Sequence, residues 1–155
     1  MASVHYPVAI TSIGIGTIDL DTTQIVCILA MTNTVADTET TVDNFAGWTG
    51  GEVVGLDEFD GSGYTPGWGS ASRKVLANVT VTDDGTTMKF DNTADLTWSS
   101  LGAGTRSITG VVIAKEGGAN DTTSIPICFL EVTDTAANGG DITIAFNASG
   151  ILTIA

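Results

Sequence analysis

The sequence predicts an all-β protein: a single-domain antiparallel β-sandwich or barrel-like fold of about eight strands, with at most one or two short helices. Three observations support this prediction. Threonine, valine and isoleucine are abundant, the 155-residue chain contains 19 glycines, and no long segment repeats apolar residues at helical spacing. Short strand-like runs separated by turn residues are typical of sandwiches and barrels.

The strand-like runs in the first part of the sequence predict two kinds of strand, fully buried and half-buried. Residues 24–31 (QIVCILAM) and 124–132 (SIPICFLEV) are almost continuously apolar, which favours central strands covered on both faces. Residues 74–82 alternate as a half-buried strand does. The turn residues 83–85 follow, and we expect residues 86–90 to return as the hairpin partner.

The remaining runs complete the predicted sheet. Residues 106–115 form another strand, and a short helix is expected within residues 35–46. The chain closes with a predicted hairpin over residues 141–155. Its last five residues, 151–155, contain no charge and no proline, the features that protect an exposed sheet edge. We therefore expect this strand to be flanked on both sides and buried on at least one face.

The length and pattern of the chain fit one β domain spanning residues 1–155, with no linker or internal repeat. Residues 1–15 form an apolar N-terminal arm. The alternation from Val4 to Ile10 favours a strand, which would complete the protein's own sheet or add to that of a neighbour.

The charge balance excludes two classes of partner. The chain has 5 basic and 18 acidic residues, a net charge of −13, so we expect no binding to nucleic acid and none to an anionic membrane surface. No apolar run approaches the roughly 18 residues needed to span a bilayer. The N-terminus lacks the pattern of a signal peptide, which predicts synthesis in a cytoplasm. Cys27 and Cys128 lie in apolar runs and are predicted to be buried, reduced thiols.

The sequence offers no catalytic set, no cofactor site and no metal site. His5 is the only histidine, so a zinc site would lack ligands, and a Ser-His-Asp triad would depend on this one residue near the N-terminus, which is expected at the surface. Asp57, Glu58 and Asp60 do not match a calcium loop, and a solvated turn is favoured there over weak calcium binding. A glycosidase-type carboxylate pair stays open, because such pairs meet through folding; the acids available are Asp19, Asp21, Asp57, Glu58 and Asp60.

Three aromatic residues are the candidate partner-contact residues. Trp48, Tyr64 and Trp68 lie in glycine-rich connections, outside the strand runs. Such residues are favoured in interface cores because they offer large, rigid contact areas. Loop aromatics also fold back onto their own core, and the two interpretations have equal weight here. Trp98 follows strand alternation and is expected in the core.

Four phrases of the sequence, taken in order, resemble a family of small structural proteins of tailed bacteriophages. They are "GTIDLDTTQIVCILA", "LDEFDGSGYT", "RKVLANVTVTDDGTTMKFDNTADLTWSSLGAGTRSITGVVIAK" and "NGGDITIAFNASGILTI". The similarity covers roughly residues 16–155. The chain departs from the pattern at residues 65–72 (TPGWGSAS), which are inserted where the family turn runs almost directly into Arg-Lys. We refer to residues 65–72 as the finger.

The resemblance implies a virion component that is made in the host bacterial cytoplasm. The role we expect is a capsid decoration or cement protein on the exterior of the head, with the major capsid protein as its partner. Closed symmetry at such a position favours a homotrimer. A tail or head-fibre component is the alternative, and a carbohydrate-binding module using Trp48 and Trp68 is a further one.

Overall fold

The computed structural model describes residues 3–21, 24–50, 56–83, 85–147 and 149–154. These residues contain ten strands, one α-helix and one 3₁₀ turn, joined by turns and irregular segments. In chain order they are β1 (Ser3–His5), α1 (Pro7–Gly14), β2 (Ile25–Met31), the 3₁₀ turn (Phe45–Gly47), β3 (Lys74–Val75), β4 (Val79–Asp83), β5 (Met88–Asn92), β6 (Leu96–Trp98), β7 (Ile108–Lys115), β8 (Ile125–Thr135), β9 (Ile142–Ile144) and β10 (Leu152–Ile154).

The strands form three antiparallel sheets, which confirms the predicted all-β, sandwich-like fold. The largest sheet has the order β1-β8-β7-β2-β3, the second has the order β10-β5-β4, and β6 pairs with β9. The expected hairpin of β4 and β5 is present, with Val79 opposite Asn92 and Asp83 opposite Met88. No helix among the described residues is long and apolar enough to cross a membrane.

The five-stranded sheet has an apolar layer on each face, as the continuous runs of β2 and β8 predict. Alternate residues of β2 enter different layers: Cys27 and Leu29 pack in one cluster, and Val26 and Ile28 pack in the other. The first layer lies between this sheet and the smaller sheets, since it also contains residues of β5, β6, β9 and β10. The second layer is closed by Tyr6 and by the loop residues Ala36, Phe45, Trp48 and Leu56.

The two cysteines are free and buried, which confirms the predicted reduced thiols. Cys27 and Cys128 both lie opposite Ile113, on the two sides of β7. Two strand spacings of about 4.8 Å therefore separate their main chains, too far for a disulfide. Burial raises the pKa of both thiols, so they act as small apolar side chains.

The prediction of a strand from Val4 to Ile10 is wrong beyond His5. β1 ends there, and Pro7 begins α1, because its fixed φ and missing N–H suit the first position of a helix. β1 pairs with β8 of the same chain, with Val4 opposite Phe129, so the N-terminal arm completes the protein's own sheet.

Two further local predictions are corrected. Residues 35–46 contain no α-helix; turns lead into the short 3₁₀ turn at Phe45–Gly47.

The single strand predicted over residues 74–82 is two strands in different sheets. The break lies between Leu76 and Asn78. The Leu76 N–H donates to the Ile25 carbonyl beside β2, whereas the Asn78 N–H donates to the Asn92 side chain of β5. The chain therefore passes from one sheet to the other between these two residues.

The predicted C-terminal hairpin is also wrong in its pairing. β9 pairs with β6, and β10 pairs with β5, where Leu152 lies opposite Phe90. Within the described part of the chain β10 has one strand partner, so the prediction of a strand flanked on both sides is not met. Its predicted burial is confirmed, because Ile151 and Leu152 are in the core. The strand is only three residues long, and short edge strands are less open to unwanted pairing.

Candidate partner-contact loop

The finger lies within a glycine-rich loop of residues 58–73. A buried ion pair between Glu58 and Arg73 joins the two ends of this loop. Arg73 donates from Nε to Oε1 of Glu58 at 3.0 Å and from Nη2 to Oε2, and both side chains are almost fully buried. The same carboxylate accepts the Tyr64 hydroxyl at 2.8 Å and the Gly67 N–H at 3.0 Å. Four donors therefore converge on one carboxylate, which ties both ends of the loop and its middle to one point.

Hydrogen bonds within the finger close it into a compact turn. The Thr65 N–H donates to the Ser72 hydroxyl at 2.9 Å, and the Ser70 hydroxyl donates to the Thr65 carbonyl. Gly67 and Gly69 both have positive φ, at 102° and 75°, which glycine adopts without strain. The finger therefore has a defined shape, with Thr65, Gly69 and Ala71 exposed.

Trp68 holds the finger against the body of the protein. Its indole packs edge-on to Phe45 with ring centroids 5.0 Å apart, and the Arg73 guanidinium lies 4.0 Å from its ring centre. Its Nε1–H donates to Asp121 at 2.7 Å. The ring is half-buried, so one part of it remains at the surface beside the finger.

Trp48 and Tyr64 do not form a contact surface, which corrects their place among the candidate residues. Trp48 is 2% exposed, packs against Phe45 and Tyr6, and donates its indole N–H to the Glu39 carbonyl. Tyr64 is 6% exposed and packs edge-on to Phe59. Both fold back onto their own core. A sugar-binding platform of Trp48 and Trp68 is therefore not formed, because Trp48 has almost no accessible ring face.

The three acids considered for calcium each bond to another residue of the chain. The prediction of a solvated turn is wrong for Glu58, which is buried, whereas Asp57 is half-buried in a turn and Asp60 is exposed. Glu58 is the buried anchor described above. Asp57 pairs with Arg106, and Asp60 accepts both the N–H and the hydroxyl of Thr105, which lowers the pKa of the Asp60 carboxyl. Within the described residues no group of three or more potential ligands could hold a metal ion.

His5, Trp98, Asp19 and Asp21 are the remaining residues that the sequence singles out. His5 is exposed, and Trp98 is buried in the core as predicted. Asp19 and Asp21 are neighbours, and a side-chain hydrogen bond between the two carboxyls raises the pKa of Asp21. Directly hydrogen-bonded carboxyls lie much closer than the roughly 5–9.5 Å that glycosidase pairs require.

Sequence reasoning missed the anchor of the loop. Glu58 and Arg73 are 15 residues apart, and their contact requires the whole loop to turn back on itself. The available signal was an acidic residue and an arginine at opposite ends of a glycine-rich stretch without other charges between residues 61 and 72.

Comparisons with known proteins add no relative from which a function could be transferred. No protein-family model, no curated protein and no solved structure was found to match this chain.

Proposed function

We propose that this protein is a structural component of a tailed bacteriophage particle: a decoration or cement protein that binds the major capsid protein on the exterior of the head. The ordered resemblance of four sequence phrases to small phage structural proteins supports this proposal. The main structural observation in favour of the proposal is the finger, a surface loop of defined shape that has no charged side chain on a protein of net charge −13.

The composition of the finger suits a protein contact. Charged residues are depleted in the buried centre of protein interfaces, and the chain carries none between Asp60 and Arg73. The Glu58–Arg73 pair and the Trp68 contacts order this loop before any partner binds. Little conformational entropy is then lost on binding, which favours affinity for a rigid surface such as a capsid.

The distribution of charged residues over the chain also favours a protein partner. Among the described residues, ion pairs with acids of the same chain are formed by Arg73, Lys89 and Arg106. The acidic excess therefore dominates the surface and favours a partner with a neutral or basic outer face.

Binding to expanded heads is the testable consequence. Purified protein should co-sediment with expanded shells that lack it, and less with precursor shells, because subunit rearrangement creates the decorated surface. Ala71→Arg, at an exposed position of the finger, should weaken binding about tenfold or more by placing an unpaired charge in the interface, with unchanged melting.

Asn138→Arg provides the matched control, since it adds the same side chain at an exposed position before β9. It should bind as the unaltered protein does. Equal loss in both variants would assign the effect to net charge and remove the finger from the contact. Binding to neither shell form, with binding to isolated tails, would replace the head assignment with the tail component.

A further inference from the structure

A cavity of about 460 Å³ opens at one end of the first apolar layer, between β8 of the five-stranded sheet and β9. Its inner wall contains Ile108, Ile144 and Ile151, which are buried in that layer. Cavities that bind small molecules have volumes of about 300–1,000 Å³ and are lined mainly by apolar side chains. This space is therefore large enough, and apolar enough, for a small molecule.

The apolar side chains at the mouth of the cavity are only partly covered by the protein itself. These half-buried residues, which pack against the first layer on one side, are Leu130, Val132, Ile142 and Phe146. Ile142 and Ile144 are alternate residues of β9, so both direct their side chains to the same face. An apolar molecule in the cavity would remove the exposed parts of these side chains from water, which favours binding.

A carboxylate lies at the mouth without a basic partner. Asp141 directly precedes β9 and is the one charged side chain among the described residues that line the cavity. Its Oδ1 accepts the Ser100 N–H at 2.9 Å, which holds the carboxylate in position. Within the described part of the chain, no basic side chain forms an ion pair with Asp141. The charge of this carboxylate is therefore left for a ligand.

The charged groups around the cavity favour a positively charged ligand. The stem of Lys89 passes close to Gly150 of the lining, but its Nζ pairs with Asp91 at 3.5 Å. β8 carries two further acids, Glu131 and Asp134, next in the chain to residues of the lining. Negative charge is in excess here, as it is over the whole chain, which opposes an anionic ligand and attracts a cation.

We propose that this cavity binds a small amphipathic cation, a molecule whose apolar body fills the cavity and whose protonated amine is bound by Asp141. An ammonium group supplies both a positive charge and N–H donors, and a carboxylate accepts such charge-assisted hydrogen bonds. The apolar body covers the half-buried side chains of the mouth. None of the lining residues belongs to the finger, and the inference does not rest on the virion assignment.

Calorimetric titration of the full chain with three probes that share one alkyl chain tests the class of ligand. The probes are octylammonium, octanol and octanoate. We expect octylammonium to bind about tenfold or more tighter than octanol, because only its head group pairs with a carboxylate, and octanoate to bind weakest. No binding of octylammonium, or equal affinities for the three probes, would overturn the proposal.

Asp141→Asn separates the site from the general attraction of an acidic surface. It should weaken the binding of octylammonium about tenfold and leave the binding of octanol unchanged. Asp43→Asn makes the same change in net charge at an exposed position, on the loop that covers the other face of the five-stranded sheet. This control should bind octylammonium as the unaltered chain does. Equal losses in the two variants would assign the binding to net charge and contradict the site.

Val132→Phe tests the location of the apolar body. Val132 is a half-buried lining residue, so a larger side chain there occupies part of the cavity. The variant should weaken the binding of octylammonium and octanol alike, with an unchanged melting temperature. Normal binding of both probes by a folded variant would show that the cavity is not the site. If the unaltered chain bound no probe while Val132→Phe weakened binding to heads, the cavity would hold a partner's side chain, and a small ligand would be wrong.

Discussion

Arg73→Ala is expected to lower the free energy of unfolding by about 3–5 kcal/mol, because it leaves the Glu58 carboxylate buried without its positive partner. The carboxylate would keep its bonds from Tyr64 and Gly67, but these donors carry no charge. Denaturant unfolding followed by tryptophan fluorescence measures the change. The loop that carries the finger should also lose its order.

Arg106→Ala is the matched control for this prediction. Arg106 pairs with Asp57 near the surface, where its side chain is 35% exposed. Water replaces the lost partner there, so the expected cost is about 1 kcal/mol or less. Similar losses for the two variants would show that the Glu58–Arg73 pair has no special role in anchoring the loop.

Trp48→Ala is expected to lower the free energy of unfolding by about 3–5 kcal/mol through the cavity it leaves in the second apolar layer. Trp48 packs edge-on to Phe45 at 4.7 Å and to Tyr6 at 5.9 Å, so its removal exposes both neighbours to an unfilled space. Trp68→Ala should cost less, since that ring is half-buried.

The same pair of variants separates a core residue from a partner-contact residue. Thermal or denaturant unfolding reports on the core, and co-sedimentation with heads reports on the contact. If Trp48→Ala retained full stability and lost only binding, the assignment of Trp48 to the core would be wrong.

The central positions of β2 and β8 were predictable because the apolar residues of each strand follow one another in the sequence. The runs of β2 and β8 are apolar on both faces, and a strand of that composition must be covered on both sides to remove it from water. The run of β7 was predicted only as a strand, and its nearly complete burial is an outcome of the structure. The predicted hairpin of β4 and β5 was equally local, since turn residues between the strands determine the pairing.

Other features depend on contacts between distant parts of the chain. The alternation from Val4 to Ile10 favoured a strand, but Pro7 starts a helix that packs its buried Ala9 into the core. The partners of β9 and β10 lie 44 or more residues earlier in the chain, and no local pattern favoured β6 and β5 over a terminal hairpin.

The candidate site was predictable in position and not in its internal contacts. The glycine-rich loop and the finger within it are visible in the sequence, and Trp68 does lie partly at the surface. The burial of Trp48 and Tyr64 was not, because it depends on Phe45, Tyr6 and Phe59 from other segments. A loop aromatic is equally suited to a partner and to its own core until its neighbours are known.

The position of the protein on virus particles is the most direct test of the proposed function. The proposal requires that a phage genome encodes this chain, and antibodies against the folded protein, applied to intact particles of that phage, would locate the protein in electron micrographs. We expect label distributed over the surface of the heads, in many copies per particle. Label confined to tails, or no label on any particle, would contradict the assignment to the exterior of the head.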